Sequence, residues 1–268
     1  MTILMNGNLN FLNMKKSKLI FIIFIFTITH LNFAYSQDFE KEAIWIENFK
    51  KLNPNVWNNG ANVNGGKCYS NFDPQTTYAR KGKLHLKAKE ATKKDGVPYV
   101  KQPYINTYTK KHFKYGKLEI KAKMPVGLGV WPAIWLISKT RNDFPRGEID
   151  ILEYIGCWNK YKFQGNVHTV FEDNKRFQYP QYSTNTDITK YHIYTLEWTE
   201  EYIILKIDNE IYLKYDKNNP NGWVFDQEYF LVLNVAFDNG WGGKCGVDKS
   251  ILPCEMIVDW IKYYKLKE

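Results

Sequence analysis

The feature that most restricts this chain is the stretch Arg146-Gly147-Glu148-Ile149-Asp150-Ile151-Leu152-Glu153-Tyr154-Ile155-Gly156, which places three carboxylates at positions i, i+2 and i+5 of a short apolar run. Pro145 and Gly147 open it and Gly156 closes it, so a helix has little room. On a helix Glu148 and Glu153 would point roughly 140° apart, because each residue turns about 100°. The isoleucines and the tyrosine favour a strand. On a regular strand Glu148 and Asp150 share a face and Glu153 falls on the other. One extra residue, a β-bulge near Ile151 or Leu152, would return Glu153 to the same side, and bulges are enriched beside active sites. A half-exposed strand with its polar residues outward is the bland alternative. It is disfavoured because three like charges on one small face of a sheet repel. A chain tolerates that cost most readily where perturbed carboxylates are used. Two carboxyls about 5–5.5 Å apart suit retaining cleavage of a glycosidic bond, one as nucleophile and one as acid/base. A third between them can hold a proton and keep the pair in different protonation states.

Composition bounds the rest. Lys15-Lys16-Ser17-Lys18, the apolar run Leu19 to Thr29 and Ala34-Tyr35-Ser36 read as a removable signal peptide over residues 1–36, with Met14 an alternative start. The apolar run is shorter than the ~20 residues a membrane helix needs, so a membrane anchor is the lesser reading. Residues 37–268 are then expected to form a single domain of a size ordinary for all-β folds. The 19 Tyr, 16 Phe and 9 Trp are strand formers, and they also suit a groove whose aromatic rings meet flat sugar faces. The net charge of +9 comes from scattered lysines rather than a basic stripe. That argues against nucleic acid and leaves an acidic polysaccharide open. Cys68, Cys157, Cys245 and Cys254 allow three pairings. Cys245 with Cys254 would close a short loop and leave Cys68 with Cys157; free thiols are the alternative, and the spacings match no zinc motif.

The pattern is one of short alternating strands and loops without repeats. Ala43 to Phe49, Leu84 to Lys89, Lys117 to Lys123, Trp131 to Ile137, Tyr191 to Trp198, Ile203 to Asp208, Glu210 to Tyr215, Tyr229 to Phe237 and Ile257 to Lys262 read as strands, and Asn53 to Pro74 as a loop. Many such strands imply two packed antiparallel sheets in a jelly-roll sandwich. Trp131 could project from the sheet, whereas Trp135 reads as core.

The spacing E-x-D-x-x-E after a glycine resembles the signature of glycoside hydrolase family sixteen, in its bulged, laminarinase-like form. Tyr115 to Pro125, Gly129-Val130-Trp131-Pro132-Ala133-Ile134-Trp135-Leu136, Asn166-Val167-His168-Thr169, Tyr194 to Trp198, Leu233 to Ala236 with Gly240-Trp241-Gly242-Gly243, and Met256 to Trp260 follow in that family's order. The resemblance implies a concanavalin-like β-sandwich with one sheet curved into an open cleft. It implies a monomeric, exported endo-acting retaining glycosidase with a polysaccharide substrate and no catalytic cofactor. Glu148 would be nucleophile, Glu153 acid/base, and Asp150 the carboxyl between them. Asn106, Trp131, His168, Asn234 and Trp241 match substrate-binding positions, His168 through the substrate or Glu153. An arginine is common before the Ile-Asn-Thr segment in the family; Tyr104 stands there in this chain, a departure from the family's usual sugar contact at that position. Glu47, Asp259 and the backbone of Gly82 match positions that bind a structural calcium; a metal-free pairing of the N- and C-terminal strands is the alternative. The substrate implied is β-1,3- or mixed β-1,3-1,4-glucan, with agar-, porphyran- or carrageenan-type galactans second. A transglycosylase would share the motif. A non-catalytic polysaccharide-binding protein is disfavoured by the three carboxylates.

Overall fold

The computed structural model describes residues 39–59, 72–140, 143–237 and 240–267. The expected leader, Cys68 and most of the Asn53–Pro74 loop lie outside them. Its strands are, in order, β1 (Trp45–Glu47), β2 (Asn58–Asn59), β3 (Thr77–Arg80), β4 (Lys83–Thr92), β5 (Pro98–Lys101), β6 (Tyr104–Asn106), β7 (Gly116–Lys123), β8 (Val130–Ser138) and β9 (Arg146–Glu153). They continue with β10 (Phe163–Val170), β11 (Arg176–Gln178), β12 (Gln181–Ser183), β13 (His192–Trp198), β14 (Tyr202–Ile207), β15 (Glu210–Asp216), β16 (Tyr229–Phe237) and β17 (Cys254–Tyr264). Among the described residues no helix is long and apolar enough to cross a membrane.

The strands form two open antiparallel sheets. One has the order β15-β14-β13-β7-β17-β4-β3, with β1 on β17 and β5 on β4. The other has the order β11-β10-β9-β8-β16-β6-β2, with β12 on β10. The alternation seen in the sequence decides which face is inside, because successive side chains point to opposite sides of a strand. Leu84, Leu86 and Ala88 of β4 and Leu118, Ile120 and Ala122 of β7 meet Ile134, Leu136, Ile149, Val167, Leu231 and Leu233 of the other sheet in one core. That leaves β8 and β16 with a second face. Tyr104, Ala133, Trp135, Phe230 and Val232 form a separate apolar cluster there. Trp135 is therefore buried, but on the outer face of its sheet and not between the sheets as expected. Asp208 and Asn209 both adopt left-handed φ (47° and 75°) at the β14–β15 turn. Their short polar side chains tolerate that region, which two-residue hairpin turns require.

Two expectations change. The disulfide joins Cys157 to Cys245. Cys254, the proposed partner of Cys245, begins β17 and packs against the inter-sheet core as a free thiol, its pKa pushed up to about 12 by burial. Cys245 lies instead in the loop after β16, on the side of the other sheet. The calcium donors are also engaged. The Glu47 carboxylate accepts hydrogen bonds from the Phe49 amide at 3.1 Å and the Trp57 indole N–H at 3.0 Å. The Asp259 carboxylate is paired with the Lys83 ammonium, and with that of Lys121 at 3.1 Å. Gly82 sits beside them in a left-handed turn, its Cβ direction 3.8 Å from the Asn48 carbonyl. Two ammonium groups stand where a cation would neutralise Asp259, so these residues do not fit a calcium site. The ion pairs tie β17 to β4 and β7 in its stead.

Chelation should accordingly leave the melting temperature unchanged. Asp259→Asn should lower it, by about 1 kcal/mol for a partly exposed pair, or roughly 2–4 °C in a domain of this size. Thermal denaturation with and without EDTA checks both.

Candidate active site

Strand β9 lies inside its sheet between β8 and β10, so both neighbours report its register. Against β8, Glu148 faces Ile137, Ile149 faces Leu136 and Asp150 faces Trp135; the next pairs are Leu152 with Ile134 and Glu153 with Ala133. Ile151 has no counterpart. Against β10 the same slip appears: Glu148 pairs with His168, Asp150 with Asn166 and Glu153 with Gln164. Ala133, Trp135 and Ile137 share one face of β8, so Glu153, Asp150 and Glu148 share that face of β9. The bulge stands where the carboxylate spacing required it. In an unbroken strand Glu153 would point into the core.

An extra residue leaves backbone groups outside the ladder, and buried carbonyls need a donor. The Ile151 carbonyl receives the hydroxyl of Tyr212, which reaches across from β15 in the opposite sheet. The passage is open because residue 165 is glycine. A Cβ there would stand 2.6 Å from the Tyr212 ring and 2.7 Å from Leu205. The Tyr212 hydroxyl is buried, which raises its pKa well above the usual phenol range and keeps it a donor.

The carboxylates are held by a connected set of polar groups. Glu153 accepts from the Trp131 indole at 3.1 Å on Oε1 and from the Gln164 amide at 2.9 Å on Oε2. His168 Nε2 lies 2.8 Å from Asp150 Oδ2 and 3.9 Å from Glu148 Oε1. His168 thus serves Asp150 and not Glu153, because the register places it opposite Glu148 at the far end of the carboxylate row. Asn166 Oδ1 accepts the backbone N–H groups of Val167 (2.9 Å) and Tyr179 (3.0 Å). Its NH₂ therefore faces His168 Nε2, at 3.0 Å. Nε2 thus stands between that amide and Asp150 Oδ2, with a single hydrogen bond to give or take.

Burial favours the protonated form of Asp150. Asp150 is only 3% exposed at its side chain. Its pKa is raised well above the usual value by burial and then by the charge of Glu153. Burial also raises Glu153, against the hydrogen bond from Gln164, the charge of His168 and the hydrogen bond from Trp131. Glu148, one third exposed, is raised to about 8 by burial and then by Asp150; His168 opposes, and Glu153 adds to the rise. Such groups titrate as a set. Near neutral pH the set keeps protons that isolated carboxylates would lose.

The other expected residues fall around this row. Trp131 is on the same face of β8 and holds Glu153. Asn234 lies opposite Ala133 and so in line with Glu153, accepting the Trp135 indole N–H at 2.8 Å. Asn106 is fully buried three strands from Asp150, accepting from the Tyr108 amide (3.0 Å) and the Asn58 amide (3.1 Å). Trp241 meets Trp131 edge to face at 5.5 Å. Glu47, Gly82 and Asp259 belong to the other sheet. Gln164 and Asn166 were missed, although Gln164, Asn166 and His168 recur at every second position and so share a face of β10. Trp158 was also missed; no local spacing ties a loop tryptophan to the groove.

The family model described as Glycosyl hydrolases family 16 matches residues 67–262. The chain is 33% identical to the beta-glucanase of Rhodothermus marinus over 64% of this chain and 66% of that protein. It is 30% identical to glucan endo-1,3-beta-glucosidase A1 of Niallia circulans over 71% of this chain, a match that spans 31% of that protein. The X-ray structure of the laminarinase from Rhodothermus marinus superposes with a TM-score of 0.74 at 26% identity, over 86% of this chain and 99% of that one.

Tyr212→Phe removes the donor to a buried carbonyl, a change that costs about 1–3 kcal/mol. Its melting temperature should fall by roughly 2–4 °C per kcal/mol, and Gly165→Ala should be worse because its Cβ strikes Tyr212 and Leu205. A carboxyl whose folded pKa is raised gives stability that is complete below the unfolded value and lost as pH rises through the folded one. For Glu148 that window runs from 4.5 to about 8. The protein should lose stability across it, and Glu148→Gln should lose less. Melting temperatures of both proteins against pH give the comparison.

Proposed function

We propose that this chain, which belongs to glycosyl hydrolases family 16, is a retaining endo-β-1,3(4)-glucanase acting on laminarin- or lichenan-type polysaccharides. The observation that carries the reading is the bulge at Ile151, which gives Glu148, Asp150 and Glu153 one common face. The substrate class follows the names of the relatives from Rhodothermus marinus and Niallia circulans. The leader-like residues 1–36 support action outside the cytoplasm.

In this mechanism Glu148 attacks the anomeric carbon and forms a glycosyl-enzyme, while Glu153 gives its proton to the leaving oxygen. Glu153 then takes a proton from water as that water attacks the intermediate. The polar network suits each role. Burial keeps a proton on Glu153 until the leaving group needs it. Trp131 and Gln164 stabilise its anion once the proton has gone, and they fix its rotamer. Asp150, its pKa raised by burial, adds no third charge to the row. A sugar acceptor in place of water would give transglycosylation from the same intermediate.

Release of reducing ends from laminarin, lichenan, agarose, porphyran and carrageenan tests the substrate class. Cleavage is expected for the first two; cleavage of the galactans alone would overturn the glucan assignment. The first product anomer seen by NMR should keep the β configuration, and an inverted anomer would remove Glu148 as nucleophile. Glu148→Gln should lower kcat by about 10³-fold or more, as loss of a group that acts only in the transition state does.

A further inference from the structure

Beyond Trp131 and Trp241 the aromatic surface continues. Trp241 meets Trp158 at 5.6 Å with the planes at 90°, and Trp158 meets Tyr182 at 5.7 Å and 86°. Together with the Trp131–Trp241 contact, this is an unbroken edge-to-face series that begins at the indole bonded to Glu153. Its far end returns to the same row of the sheet. Tyr182 of β12 pairs with Gln164, which pairs with Glu153, and so lies about 10 Å from it, two strand spacings away. Tyr182 is 49% exposed. The Lys162 ammonium stands 5.0 Å over the Trp158 ring and 4.6 Å over the Tyr182 ring. Among the described residues no carboxylate lies within ion-pair distance of it.

The segment that carries Trp158 is fixed to its surroundings at several points. The Trp158 amide bonds to the Ile155 carbonyl at 2.9 Å, and its carbonyl accepts the Tyr154 hydroxyl at 2.9 Å. The same hydroxyl accepts the Gly127 amide at 3.1 Å. A Cβ on Gly156 would stand 2.4 Å from the Gly127 carbonyl, so the loop presses on the β7–β8 turn at a distance only glycine permits. Next to Trp158, Cys157 is bonded to Cys245 in the loop that bears Trp241. The disulfide thus joins the two loops whose tryptophans touch. Such a cross-link stabilises the fold by constraining the unfolded chain, and a sugar platform gains further, because binding then orders fewer groups.

We infer that Trp158 and Tyr182, held against Trp241 by the Cys157–Cys245 disulfide, form an additional sugar-stacking subsite at the Glu153 end of the groove. Its ligand is a further pyranose ring of the same β-glucan chain. The Trp158 and Tyr182 rings offer apolar surface to the C–H side of that ring, and Lys162 donates hydrogen bonds to its hydroxyls. This inference rests on the reading of the groove as a polysaccharide site.

The test measures binding in a Glu148→Gln background, so that hydrolysis does not erode the ligand. Affinity electrophoresis and intrinsic tryptophan fluorescence would be run with laminarin, lichenan and the three galactans. Tyr182→Ala and Trp158→Ala are each expected to weaken binding of the recognised polysaccharide about tenfold, the size of a central aromatic contact. Tyr161→Ala, an exposed tyrosine of the same loop that is outside the series, should change nothing. Reduction with dithiothreitol should weaken binding by the parent protein, and should have no further effect on Cys245→Ser, which starts weak. Unchanged affinity in Tyr182→Ala would overturn the subsite. Equal affinity before and after reduction would overturn the role of the disulfide. Binding to galactans alone would remove the glucan assignment while the Tyr182 comparison on that galactan still decides the subsite; binding to no polysaccharide would remove both.

Discussion

The hydroxyl of Tyr212 on the carbonyl of Ile151 joins the two sheets at the place where the regularity of β9 is broken. Everything in the carboxylate row depends on that break. An extra residue in β9 is unfavourable alone, because it leaves a buried polar group without its ladder partner. The opposite sheet supplies the partner, and Gly165 supplies the space through which it passes. The bulge is therefore a property of the sandwich and not of one strand. Its consequence is the exchange of Glu153 from the inter-sheet core to the outer face, where Asp150 and Glu148 already stand.

That placement sets the electrostatics. The three acidic side chains on one partly dry face all have raised pKa values, with desolvation the largest cause for each; the charge of Glu153 adds to the rise at Asp150, and those of Asp150 and Glu153 to the rise at Glu148. The surrounding polar groups divide the row rather than neutralising it evenly. Trp131 and Gln164 address Glu153, whereas His168 and, behind it, Asn166 address Asp150. Glu148 has the most solvent and the fewest protein donors. It is the group best placed to lose its proton and to meet an incoming carbon. The asymmetry comes from β10, whose outer-face residues Gln164, Asn166 and His168 lie opposite Glu153, Asp150 and Glu148 in turn.

Much of this was legible in the sequence. A period of two predicts the strands, and three carboxylates at i, i+2 and i+5 have one common face only if a residue is inserted between the second and third. What the sequence concealed was contact between distant segments. Trp135 reads as core because it is large and apolar, yet its parity with Trp131 places it on the outer face. The Asp259 site reads as metal-binding by likeness, yet Lys83 and Lys121 approach it from other strands. The cysteine pairing failed for the same reason. Nearness along the chain favoured Cys245 with Cys254, but an 88-residue separation between Cys157 and Cys245 is closed by β9 and β16 lying on either side of β8.

The same neighbourhood explains why the aromatic rim and the acid/base share a fate. The loops bearing Trp158 and Trp241 leave β9 and β16 at the end of the sheet where Glu153 stands, since Glu153 ends β9 and Trp131 near the start of β8 lies beside it. A side chain that must deliver a proton to a glycosidic oxygen needs the sugar chain held close to it, and holding is the work of surface that loses little freedom on binding. Rigid strands provide the carboxylates, whereas loops ordinarily provide reach at the expense of order. Here a covalent bond between two loops and a tyrosine hydroxyl bridging Gly127 and Trp158 give loop-borne rings an attachment closer to that of strand residues. The bulge aims the proton donor, and the clamped rim limits where its acceptor can lie.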